Sequence, residues 1–88
     1  MAKYEIKIKT SAEKELRKIP QEYLVRIVAE IGALSENPFP HNSIKLSGQD
    51  KYRLRVGKYR VLYSINKKIL TIFIVKVAHR KSAYNIEK

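Results

Sequence analysis

Apolar and polar residues alternate twice between positions 51 and 65, with Gly57-Lys58 between the two runs. This is the sequence pattern of a β-hairpin with a two-residue loop. Such a loop pairs Val56 with Tyr59, Arg55 with Arg60, Leu54 with Val61, Arg53 with Leu62 and Tyr52 with Tyr63. Successive side chains on a strand point to opposite faces. One face of the hairpin therefore carries Tyr52, Leu54, Val56, Tyr59, Val61 and Tyr63, and the other carries Arg53, Arg55 and Arg60.

Upstream, Tyr4, Ile6 and Ile8 alternate with Lys3, Glu5, Lys7 and Lys9, which predicts a half-buried first strand. Thr10 followed by Glu13 reads as a capping box opening a helix over residues 11–19. Pro20 ends that helix and begins a second. There Leu24, Ile27, Val28, Ile31 and Leu34 recur at spacings of three and four, a stripe assigned to the core. Two prolines among residues 37–42 force a loop. A second loop covers residues 45–50, and Asn66-Lys67-Lys68 makes a tight turn. Residues 69–77 are almost continuously apolar, as in a strand covered on both faces. The expected fold is α+β, in the order β-α-α-β-β-β: a compact antiparallel sheet with two N-terminal helices on one face.

Length and charge sharpen the picture. Eighty-eight residues make a single domain, 1–88. Of the net charge of +11, residues 1–44 contribute 7 Lys/Arg and 6 Asp/Glu, or +1, and residues 45–88 contribute 12 and 2, or +10. So lopsided a field points to a polyanionic partner: nucleic acid, an anionic membrane surface or an acidic protein. With no cysteine, disulfide frameworks and thiolate metal sites are excluded. The amino terminus lacks the apolar core of a signal peptide, and no apolar run is long enough to span a bilayer. A soluble, cytoplasmic protein is expected.

Two arginines directly opposite each other on a sheet repel, and an anion held between them reverses the sign. Arginine suits phosphate because its planar fork binds two oxygens and keeps its charge. Arg53, Arg55 and Arg60 thus read as a phosphate platform, with Lys45, Lys51, Lys58 and Lys81 as flanking phosphate contacts. Just past the last strand stand His79, Arg80 and Tyr84. Cleavage of RNA by its own 2′-hydroxyl needs a proton acceptor, charge to stabilise the phosphorane and a donor for the leaving 5′-oxygen. Guanidinium groups serve the second need, and His79 is the acid–base candidate because imidazole titrates near neutrality. Tyr84 would orient the 2′-hydroxyl, stack on a base or help move a proton. His41 lies in the proline-rich loop without an assigned place. No cofactor is called for, and no metal site is expected from two histidines and so few carboxylates.

The block Lys45-Leu46-Ser47-Gly48, the hairpin from Tyr52 to Tyr63, and Val77-Ala78-His79-Arg80 with Tyr84 resemble the RelE toxins of the RelE/ParE toxin–antitoxin superfamily. The resemblance spans the whole chain. It implies an mRNA endonuclease acting in the ribosomal A site, needing no metal and restrained by a cognate antitoxin. By position, Arg53 and Arg55 stand where RelE toxins have basic active-site residues, often lysine. Arg60 matches the arginine that stabilises the phosphorane, Arg80 a basic residue at the end of the last strand, and Tyr84 the carboxy-terminal tyrosine. His79 resembles the tail histidine that acts as an acid in some relatives. Because arginine does not give up its proton, the general base is left without an owner. The implied antitoxin is acidic or amphipathic and covers the groove or the sheet edge. Two other readings share these features: a ParE-like toxin that binds gyrase, and a non-catalytic RNA- or ribosome-binding module.

Overall fold

The computed structural model describes residues 3–46 and 50–83. Its five strands are β1 (Glu5–Ile8), β2 (Ser43–Lys45), β3 (Lys51–Val56), β4 (Tyr59–Asn66) and β5 (Thr71–His79), and its helices are α1 (Thr10–Arg17), α2 (Gln21–Ala33) and the short α3 (Arg80–Ala83). The strands form one sheet in the order β1-β5-β4-β3-β2.

The hairpin has the register that its alternation dictates, with Val56 opposite Tyr59, Arg55 opposite Arg60, and Tyr52 opposite Tyr63. Gly57 turns the chain at φ 58°. This left-handed conformation, at the first central position of the loop, is one that glycine adopts without a Cβ penalty. The buried face of the sheet, including Tyr52, Leu54, Val56, Val61, Tyr63, Ile72, Ile74 and Val77, forms one core with Ala12 and Leu16 of α1, Ile27 and Ile31 of α2, and Leu34 just after α2. Tyr52 stacks on Tyr63 with centroids 5.5 Å apart, and Phe39 packs edge-on against Tyr52 at 5.4 Å. The Tyr63 hydroxyl is buried and donates to the Pro38 carbonyl at 2.8 Å.

Several expectations are corrected. The sheet is mixed rather than antiparallel, because β1 pairs with β5 in parallel, Ile6 opposite Ile72. Only strands joined by short turns are bound to be antiparallel, and the two helices free β1 to return to the far edge of the sheet. A further strand, β2, pairs antiparallel with β3 and takes in Lys45, which the pattern had placed in a loop. Three residues are too few for a periodic signal. Helix α1 is capped at Lys9 without a side-chain bond, so the Thr10/Glu13 capping box does not form, and Glu13 instead accepts from Arg17 one turn later at 2.6 Å. Val28 is 52% exposed and lies outside the core stripe. The turn after β4 runs on through Leu70, because the Asn66 side chain accepts from the backbone N–H of both Lys68 and Ile69, and β5 begins at Thr71.

Where β1 ends opposite Ile74, no strand among the described residues lies beside the outer edge of β5. Glu15 of α1 takes over this edge. Its carboxylate accepts from the Val77 backbone N–H at 3.1 Å and from Lys76 Nζ at 2.9 Å. A buried backbone donor left unpaired is costly, so this one side chain fixes α1 against the sheet.

Candidate functional site

The face of the sheet turned away from the helices is where the arginines meet. Arg55 and Arg60 are direct cross-strand neighbours. Arg53 lies two residues along the same strand face, opposite Leu62, and Lys51 continues that face. Arg80 follows β5 and is tied in by its backbone N–H, which donates to the Lys58 carbonyl at 2.7 Å. This bond joins the start of α3 to the hairpin turn.

Arg60 sits at the centre of the cluster. Its Nη1 donates to the carbonyls of Gly57, at 3.0 Å, and Tyr59, at 2.9 Å, so the hairpin turn itself holds the guanidinium. Partial burial lowers its pKa from the ordinary arginine value, and the charges of Arg53, Arg55 and Arg80 lower it further. The other three arginines thus all act on Arg60. Like charges gathered in this way form a site of high positive potential, and an anion placed among them relieves the repulsion.

The remaining residues singled out from the sequence fall elsewhere. His79 is opposite Tyr59 in the β4–β5 register, which puts it on the helix-facing side of the sheet. Its ring packs edge-on against Tyr59 at 5.6 Å, and Tyr59 in turn meets Tyr23 of α2 at 5.8 Å. His79 Nδ1 accepts the backbone N–H of Lys81 at 3.3 Å, capping the turn that becomes α3. The fold therefore does not bring His79 onto the arginine face. Lys45 is opposite Tyr52 and so is also turned from that face. Lys58 occupies the hairpin turn, and Lys81 is exposed on α3. Tyr84 lies outside the described residues.

One residue the sequence left unplaced joins the arginines. His41 lines a cleft of about 190 Å³ together with Asn42, Ile44, Arg53 and Arg55. Asn42 fastens the loop there. Its backbone carbonyl accepts from the Arg55 N–H at 2.9 Å, and its side-chain amide donates to the Arg55 carbonyl at 2.7 Å and to Glu30 at 2.8 Å. Nothing in the periodicity of the chain could reveal this link, which spans thirteen residues. Among the described residues, no three His, Asp or Glu side chains gather as a metal-binding group.

Comparison with known proteins agrees with this fold. Residues 6–84 match the family described as the ParE toxin of the type II toxin–antitoxin system parDE. A protein of Methanocaldococcus jannaschii named RelE1 is 33% identical over 86 residues, covering 93% of this chain and 96% of its own. The archaeal RelE of the Pyrococcus horikoshii RelE–RelB complex superposes with a TM-score of 0.81 at 36% identity, over 89% of this chain and 96% of that one. A chain of the Mycobacterium tuberculosis RelBE2 toxin–antitoxin complex matches with a TM-score of 0.77 at 29% identity, over 90% of this chain and all of its own. The chain belongs to the RelE/ParE family of type II toxin–antitoxin toxins. Within that family, the similar structures noted above carry RelE and RelBE names, which sets it beside the RelE toxins.

Proposed function

We propose that the protein is a ribosome-dependent mRNA endoribonuclease that blocks translation in the cytoplasm by cleaving the message in the A site. The observation that carries this reading is the convergence of Arg53, Arg55, Arg60 and Arg80 on the open face of the sheet. Cleavage proceeds by attack of the RNA 2′-hydroxyl on its own phosphodiester. The phosphorane that forms carries an extra negative charge, and guanidinium groups already fixed in place stabilise it without reorganising at the moment of reaction. Arg60, held by two carbonyls of the turn, is the central contact. Arg53, Arg55 and Arg80 surround it, and Lys51 extends the basic track along β3. Tyr84, by its place in the family pattern, orients the 2′-hydroxyl or stacks on a base.

A toxin of this kind requires an antitoxin. The chain's similarity to toxins solved with RelB supports a cognate partner of that type. An acidic or amphipathic segment suits the basic face, which a bound partner would both neutralise and cover.

The name of the matching family favours one other reading, a ParE-like action on gyrase. Inducing the protein in cells separates the two. The nuclease reading expects translation to collapse and new mRNA 5′ ends to appear, with both effects lost in Arg60→Ala and Tyr84→Phe. Intact messages accompanied by broken DNA and an SOS response would assign the protein to the gyrase-directed class. Toxicity that survives both substitutions would remove these residues from the mechanism.

A further inference from the structure

The arginine face can stabilise a phosphorane, but it cannot start the reaction. A guanidinium stays protonated in proteins, so none of Arg53, Arg55, Arg60 or Arg80 can take the 2′-hydroxyl proton. His79, the histidine next to Arg80, is turned to the helix side with its ring against Tyr59 and its Nδ1 engaged by the Lys81 N–H. The missing group must stand on the open face, beside the arginines, and must have an unprotonated form near neutral pH.

We infer that His41 is the general base of the proposed RNA cleavage. It lines the 190 Å³ cleft together with Arg53 and Arg55, so a phosphodiester held by these two arginines would lie beside His41. Three hydrogen bonds of Asn42, two to the Arg55 backbone and one to Glu30, fix the neighbouring residue on β3 and α2. A base mounted this way keeps its position relative to the phosphate contacts, which is what efficient proton transfer demands. The charged groups around it are Arg53 and Arg55 from β3, and Glu30 from α2 with its ion-pair partner Arg26. Ile44, opposite Arg53 on β2, gives the cleft an apolar wall.

The proton inventory closes with solvent alone. The neutral imidazole takes the 2′-hydroxyl proton as the 2′-oxygen bonds to phosphorus. The bond from phosphorus to the 5′-oxygen breaks, and that oxygen takes a proton from water. The hydroxide left behind recovers the proton from the imidazolium. The products are a 2′,3′-cyclic phosphate and a 5′-hydroxyl, and the enzyme returns to its starting state.

This inference rests on the nuclease reading, and one experiment separates the two. Programmed ribosomes with an end-labelled mRNA in the A site are mixed with excess full-length protein, and the single-turnover cleavage rate is followed across pH for wild type and His41→Ala. His41 is exposed, so the variant should fold, and a thermal melt checks that it does. General-base loss predicts a rate reduced by about 100-fold or more, with mRNA–ribosome binding unchanged. It also predicts that the acid limb of the wild-type pH profile disappears, and that added imidazole restores cleavage to His41→Ala in proportion to its concentration. Wild-type rates in His41→Ala, or a loss that appears only as weaker binding and resists imidazole, would overturn the role of His41 and leave the nuclease reading standing. A wild-type protein that leaves the message whole would refute the nuclease reading and the role of His41 with it.

Discussion

Arg55 and Arg60 face each other across the hairpin, and folding must bring them together without an anion between them. The repulsion is measurable as a coupling energy in a double-mutant cycle of Arg55→Gln and Arg60→Gln. Like charges directly opposite on a sheet are destabilising by about 0.2–1 kcal/mol. Arg60 also gives up two hydrogen bonds to turn carbonyls when replaced, but that loss appears in both arms of the cycle and cancels. The coupling is thus expected to be unfavourable by about 0.5 kcal/mol in low-salt urea denaturation. At 1 M salt the screening length falls to about 3 Å, shorter than the separation of two opposed side chains, and the coupling should vanish. A favourable coupling, or one of equal size at both salt concentrations, would refute the view that this face is an anion site held open against its own charge.

Three further outcomes test how the fold supports that face. Glu15→Ala leaves the Val77 N–H and Lys76 without their partner on the open edge of β5, and should lower stability by about 1–3 kcal/mol in urea titration; Glu15→Gln, which keeps an acceptor oxygen, should cost less. Gly57→Ala forces a Cβ into the left-handed region at φ 58°. The nearest atom is the side-chain nitrogen of Arg26 at 3.9 Å, so the loss of about 1–2 kcal/mol should come from backbone strain rather than a clash. Burial, with a smaller contribution from Tyr52, raises the Tyr63 phenol above its ordinary pKa. A raised pKa means that the unfolded chain ionises first, so this contribution is intact below about pH 10 and is lost as pH rises through the folded-state value. Tyr63→Phe should therefore be less stable than wild type at neutral pH by about 1 kcal/mol, through the lost bond to Pro38, and the gap should narrow above pH 10.

The hairpin was legible in the sequence because every device that sets its register is local: alternation, a two-residue loop and a glycine at the turn. Which residues share the arginine face follows from the same pairing, and the family resemblance rests on those positions. What the sequence did not reveal depends on contacts between distant segments. The parallel seat of β1 beside β5, the short β2 and the outward turn of Val28 are set by packing across the sheet. His79 and His41 illustrate the point within the site. Proximity along the chain favoured His79, next to Arg80, but strand register turned it to the other face. His41 stood in a loop with no periodicity, and the pairing of β2 with β3 together with the Asn42 bonds to Arg55 carries it to the arginines.

Cleavage of ribosome-bound RNA by the arginine face, as proposed, can be read directly. The most direct measurement places a labelled mRNA on programmed ribosomes and the same mRNA free in solution, adds the protein, and maps the ends by primer extension. The expected result is a cut within the A-site codon on the ribosome, a new end carrying a 5′-hydroxyl, little cleavage of the free message, and loss of the cut in Arg60→Ala. An intact message on the ribosome, or equal cleavage by wild type and Arg60→Ala, would contradict it.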